Sequence, residues 1–273
     1  MRMAKLVCAS ALILLAGCIP ALKDPPSLEE LAGGSEELSP EDVEQHRDRA
    51  ESRFATRRVP AVREAVLLWT QVAQAETDDL DALILALEAR VWLAEHEPKS
   101  GARESESTAA VHTGQWCQRR APQDVRCTYW LGVALGVQAR ERRRTALDAL
   151  PRILELFTQA AGADPTLDDA GPERALAYLY LRAPGWPTGP GDPDLGLEHA
   201  LKAVELRPGY PPNQLVLGEA LLAVAKLDDA RRAYQRALEL AEQIDKRDAP
   251  DAGEWARKAR KGVNSVNRSG ARI

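Results

Sequence analysis

The chain is predicted to be all-α, a solenoid of stacked helical hairpins, and three observations carry that expectation. From residue 40 onward Ala, Leu, Glu and Arg recur at intervals of three and four, the spacing of one helix face. No run of alternating β-branched residues occurs, so no sheet is expected. And a set of positions, Gly196, Ala200 and Ala203, returns 34 residues later as Ala230, Tyr234 and Ala237.

Composition narrows the function. The 273 residues suffice for one large domain or two small ones. With 36 Lys+Arg against 41 Asp+Glu the net charge is −5, so there is no polycationic surface to hold a phosphate backbone, and no nucleic-acid partner is expected. Four Cys and four His are scattered without a C-x-x-C or H-x-x-x-H pair, so neither a metal cluster nor a cofactor is expected.

Along the chain, residues 1–17 have the layout of a signal peptide. Arg2 and Lys5 precede an apolar stretch from Leu6 to Leu15, too short to remain as a membrane span. The alternative is a plain secretory signal with an incidental Cys. Residues 18–40 hold Pro20, Pro25, Pro26, Gly33, Gly34 and Pro40 with no sustained period and are expected to be a flexible linker. Ser39-Pro40 reads as a helix cap followed by a first helical residue, which opens a helical body over 41–265. Ala65 with Trp69 suggests a second helix of a pair, and Trp130-Leu131-Gly132 with Leu135 a first helix. Phe157 and Ala160 fit a second helix that Pro165 terminates, as Pro208 does after Ala200 and Ala203. Leu217, Gly218 and Leu221 make one stripe of the last hairpin and Ala230, Tyr234 and Ala237 the other, joined by the short turn Lys226 to Asp229. The helix around Trp255, Ala256 and Ala259 is expected to cap the stack, and residues 266–273 to be a disordered tail.

A 34-residue period of paired helices with small and large apolar residues at fixed offsets resembles the tetratricopeptide repeat, TPR, with degenerate N-terminal units. Ala200 stands where that pattern has a large residue. The interval from Pro165 to Pro208 is nine residues longer than the repeat, matching the loop Ala183 to Gly191.

The four residues Leu15-Ala16-Gly17-Cys18 resemble the lipobox of bacterial lipoprotein precursors. That resemblance implies cleavage before Cys18 and acylation of its thiol, with no Asp following, hence an outer-membrane lipoprotein facing the periplasm of a Gram-negative cell. In an oxidising periplasm Cys117 and Cys127 could join as a hairpin disulfide or remain two buried thiols; both stay open.

Chemistry is harder to find. His46, His96, His112 and His199 fall in separate helices without a Ser or Cys partner, so no catalytic triad can be assembled and the chain is expected not to be an enzyme. Pro184-Gly185-Trp186-Pro187 belongs to a loop whose prolines remove the donors a phosphate cradle needs, and it is the candidate binding loop, either projecting outward or folded as a lid over the concave face. Arg140 to Arg144 is a basic run, most simply a charged helix face. Trp92, Trp116, Trp130, Tyr129, Tyr178 and Tyr180 could line an apolar groove, although core packing explains them more simply.

Taken with Tyr129-Trp130-Leu131-Gly132-Val133 and the Ala-Leu-Ala-Tyr-Leu-Tyr helix at 175–180, the motif Ala183-Pro184-Gly185-Trp186-Pro187 is similar to that of TatT-type TPR lipoproteins of TRAP transporters. The resemblance covers about residues 80 to 245. It implies a periplasmic accessory component that assembles with itself and with a solute-binding protein, or another envelope protein, and handles small hydrophobic ligands. The competing expectation is a TPR scaffold for outer-membrane, secretion or pilus assembly.

Overall fold

The computed structural model describes residues 24–34, 37–142, 146–245 and 247–270. Cys18 and the signal segment lie outside the described residues, as do Arg143 and Arg144 of the basic run. Among the described residues the chain is 79% helical and has no strand, only an isolated bridge between Gly185 and Gly191. The helices are α1 (Leu28–Ala32), α2 (Pro40–Ala55), α3 (Val59–Ala75), α4 (Leu80–His96), α5 (Ser100–Arg120) and α6 (Val125–Glu141). Then follow α7 (Ala146–Ala163), α8 (Leu167–Arg182), α9 (Pro193–Leu206), α10 (Pro211–Ala223), α11 (Leu227–Gln243) and α12 (Ala252–Gly270).

Local chemistry starts these helices. Ser39 accepts the Asp42 N–H while the Asp42 carboxylate receives the Ser39 N–H, a capping box with Pro40 as the first helical residue. Asp79, Asp124 and Asp192 cap α4, α6 and α9 more simply, each carboxylate accepting backbone N–H groups of the first turn.

Five antiparallel pairs, from α2–α3 to α10–α11, stack in order and α12 covers the open end. From α4 on, the first helices of successive pairs pack on one another, α4 on α6 through to α10 on α12, and so form an inner layer. The second helices form an outer layer. Close approach depends on small residues facing large ones. A Cβ added at Gly132 would stand 2.7 Å from the Phe157 ring, and one at Gly218 would stand 2.8 Å from the Tyr234 ring. Gly262 of α12 also meets that Tyr234 ring, closer still, with an added Cβ 2.4 Å away. Trp69 occupies the corresponding place in α3, edge-on to Phe54 at 5.4 Å. Leu131, Ala160, Ala200, Ala203, Ala230 and Ala237 are fully buried, and Leu217 and Leu221 nearly so. Pro165 and Pro208 fall two residues beyond the ends of α7 and α9.

Two expectations require correction. Part of the segment expected to be a flexible linker is folded: α1 begins with its own capping box at Ser27, buries Leu28 and Ala32, and packs on α3 and α5. The Trp116 indole donates to the Pro26 carbonyl at 2.8 Å and Arg90 to that of Leu31 at 3.2 Å, so neighbours satisfy this backbone. At the other end, α12 continues through residues expected to be tail, because Val266 is fully buried against the last hairpin.

Candidate functional site

The inner layer turns back on itself. Along α4, Glu88, Trp92 and His96 are spaced four apart and share one stripe. The segment leading into α12 reaches that stripe from more than 150 residues away in sequence. Asp251 accepts from the Trp92 indole at 3.3 Å and from Arg57, in the turn between α2 and α3, at 3.0 Å. His96 stacks on Trp92 with centroids 4.0 Å apart, and its Nε2 lies 2.8 Å from Glu254. Its Nδ1 faces the Trp92 carbonyl at 2.7 Å. Both ring nitrogens thus face acceptors, and only the imidazolium can donate to both. Burial pulls the His96 pKa down, but the bonds to Glu254 and the Trp92 carbonyl outweigh it and leave the group raised. The His96 bond, against burial and with help from Lys258, holds Glu254 at about 2.

A second cluster lies where α6, α8 and α10 meet. Asp168, Asp169 and Ala170 have φ of 48°, 51° and 65°, three successive residues in the left-handed region at the start of α8. Arg174 restrains them, donating to the carbonyls of Asp168 and Asp169 at 3.0 and 2.9 Å and to the Asp168 carboxylate at 2.8 Å. Asn213, fully buried, donates to the Asp169 carbonyl, and Tyr129 donates to Asp168 at 2.6 Å. Nearby, Arg182 makes two parallel bonds to Glu219 and lies 4.0 Å over the Tyr178 ring, while Tyr210 meets Trp255 edge-on at 5.4 Å.

The aromatic residues considered for a groove therefore divide. Trp92, Trp130 and Tyr178 are half-buried residues of the inner helices, and Tyr129 is in the core. Tyr180 stacks on His199, and Trp116 packs on the outer side beneath α1. His199 bonds Glu173 at 2.6 Å and His46 faces the Asp42 carbonyl, both structural contacts. Of the basic run, Arg140 pairs with Glu95 and Arg142 with Glu104. Among the described residues no group of three His, Cys, Asp or Glu side chains could hold a metal ion, and no helix is long and apolar enough to cross a membrane. Cys117 and Cys127, in α5 and α6, are joined as a disulfide with Cα atoms 5.3 Å apart.

The loop between α8 and α9 projects outward instead of folding as a lid. Gly191 and Gly189 donate back to the carbonyls of Pro184 and Gly185, and Asp192 ties the exit to Tyr180. On this knuckle Trp186 is 91% exposed. Depressions on the surface, about 440 Å³ at Thr108 and His112 and about 480 Å³ between α9 and α11 beside Leu201, share no residue with the inner stripe.

Sequence reasoning overlooked Arg57, Asp168, Arg174, Asp251 and Glu254. The spacing of Glu88, Trp92 and His96 was a usable signal, but nothing local announces which distant residues meet it.

No protein-family model matches the chain and no curated protein matches it. Among solved structures it is similar to a thermophilic TPR protein from Thermus thermophilus, with a TM-score of 0.60 and 18% identity over 80% of this chain and 98% of that one. The chain has the TPR fold. Weaker similarity extends to the MamA protein, with a TM-score of 0.45 and 15% identity over 75% of this chain and 94% of that one. The TPR2AB domain of yeast Sti1, solved in complex with pHSP90, gives 0.29 and 13% over 81% and 99%. In this TPR solenoid the inner helices carry the polar clusters, and the irregular α8–α9 unit carries the exposed tryptophan.

Proposed function

We propose that this TPR solenoid is a non-catalytic binding component of the bacterial envelope, attached to the outer membrane through an acylated Cys18 and facing the periplasm. In this reading it docks a periplasmic solute-binding protein of a TRAP-type transport system and assists the passage of a small hydrophobic ligand. The fold supports a protein-interaction scaffold, and the lipobox and the Ala183–Pro187 motif support the cellular setting. One observation carries the docking reading: Trp186 is 91% exposed on a loop held by its own backbone hydrogen bonds. A large apolar side chain presented at little ordering cost is the usual form of an interface anchor.

The test is interferometry between the acyl-free chain and a purified solute-binding protein of a TRAP-type transport system. Trp186→Ala is expected to weaken binding by about 30-fold or more, as loss of an anchoring residue does. No association, or association indifferent to Trp186→Ala, would overturn the reading. The anchor is tested separately, since Cys18→Ser should release the protein from the membrane fraction.

A further inference from the structure

The α4 stripe has three members, and only two are engaged. Trp92 bonds Asp251 and His96 bonds Glu254, but Glu88, one turn before Trp92, has no hydrogen bond or ion pair among the described residues. Glu88 is half-buried, so part of its surface remains open to solvent. The charged groups around it are Asp168 of α8, Arg57 of the α2–α3 turn and Asp251 ahead of α12. Arg57 is the cation among them, and both it and the Arg174 that serves Asp168 are already engaged. Arg57 is committed to Asp251 and to the Phe54 carbonyl, and Arg174 to Asp168, to Asn213 and to two backbone carbonyls. Glu88 is therefore a carboxylate of the inner face with no cation of its own among the described residues, near the Arg57–Asp251 and Arg174–Asp168 ion pairs.

We propose that Glu88 is the anchoring residue of a binding site on the inner face for a small organic cation, one whose ammonium or amidinium group pairs with this carboxylate. The proposal rests on the reading of the chain as a binding scaffold and names the chemistry that one of its faces selects. An isolated carboxylate in such surroundings is costly to ionise, and a bound cation removes that cost. Burial first, then the negative charges of Asp168 and Asp251 against the partial relief from Arg57, raise the Glu88 pKa to about 7. The cation binds the ionised form, so affinity should rise with pH. Between pH 6 and pH 8 the ionised fraction increases about tenfold, and the association constant should follow.

Calorimetric titration of the intact soluble chain with benzylammonium, with benzyl alcohol as the uncharged counterpart, tests this. Benzylammonium should bind and benzyl alcohol should not. Glu88→Gln, close in shape, should lower the affinity at least tenfold and abolish its rise with pH. His96→Gln removes the imidazole two turns along the same stripe and should leave that rise intact. As a second readout, the carboxyl carbon of Glu88 followed by NMR should titrate near neutrality in the free protein and at lower pH with benzylammonium present. Equal binding by the Glu88→Gln variant, absence of binding by the unmodified chain, or a titration unmoved by the amine would each overturn the proposal. None of these outcomes involves Trp186, so failure here is distinct from failure of the docking reading.

Discussion

The Tyr234 ring is gripped between Gly218 of its own hairpin and Gly262 of α12, and this contact allows a prediction whose sign is decided by geometry. Replacing Gly by Ala inside a helix ordinarily stabilises it by about 0.5–1 kcal/mol through reduced backbone freedom of the unfolded chain. At Gly136 of α6, where an added methyl meets nothing within 4 Å, that gain should be realised. At Gly262 the methyl would stand 2.4 Å from the ring, whose room to shift is limited by the close contact it already makes with Gly218. Forcing atoms into a filled site costs about 1–3 kcal/mol, so Gly262→Ala should be destabilising by roughly 0.5–2 kcal/mol after the helical gain. The two variants should move in opposite directions in urea melts followed by circular dichroism, and by about 2–4 °C per kcal/mol in thermal melts. Because stacked repeats respond locally, Gly262→Ala should also speed hydrogen exchange in α12 while α2 to α5 are unaffected. If Gly262→Ala melted like Gly136→Ala, the account of how this end is closed would be wrong.

Further consequences can be checked in the same preparations. Reducing the Cys117–Cys127 bond, or replacing both residues by Ser, should cost about 3 kcal/mol, the entropy of reopening a loop of this size, measured by denaturant titration under oxidising and reducing conditions. The contact between α4 and α12 should be strongest between about pH 4.5 and 6.5. His96 is raised, so its contribution is fully present below its ordinary value and is lost as pH climbs through the folded one; Glu254 is lowered to about 2, so its share is present above its ordinary value and fades as pH falls toward 2. Spin labels on α4 and α12 should show a wider distance distribution at pH 9 than at pH 6, and His96→Ala should remove the difference. Arg174→Ala should destabilise by about 1.5–3 kcal/mol in the same melts, since it leaves the partly exposed Asp168 carboxylate with the Tyr129 bond alone and frees three left-handed residues from the bonds that hold them.

The fold was readable because it is made of local signals. Intervals of three and four defined the helices, Ser39-Pro40 marked a start, Pro165 and Pro208 marked ends, and the 34-residue recurrence of Gly196, Ala200 and Ala203 identified the stacking unit. Errors fell where local composition and tertiary contact disagree. Pro25, Pro26, Gly33 and Gly34 look like a linker, but the few apolar residues between them, Leu28 and Ala32, find a surface on α3 and α5. Polar residues near the end of the chain look unstructured until Val266 is seen to be buried. The inner face was less legible for a related reason. Asp251 and Glu254 are ordinary acidic residues of a helix start, and Arg57 an ordinary turn residue, until the curvature of the stack brings all three to Trp92 and His96. Curvature accumulates from small rotations between pairs, and no window of sequence records it.

The docking of α1 also limits where the molecule can sit. The Trp116 indole and Arg119 fix the chain from Asp24 onward, so an acyl anchor at Cys18 would leave a leash of six residues, at most about 20 Å when fully drawn out. Under the proposed lipid attachment, such a tether could not carry the solenoid far from the membrane surface. It would hold the α3 and α5 side close to the lipid headgroups, and a soluble partner would have to come to the membrane to be received.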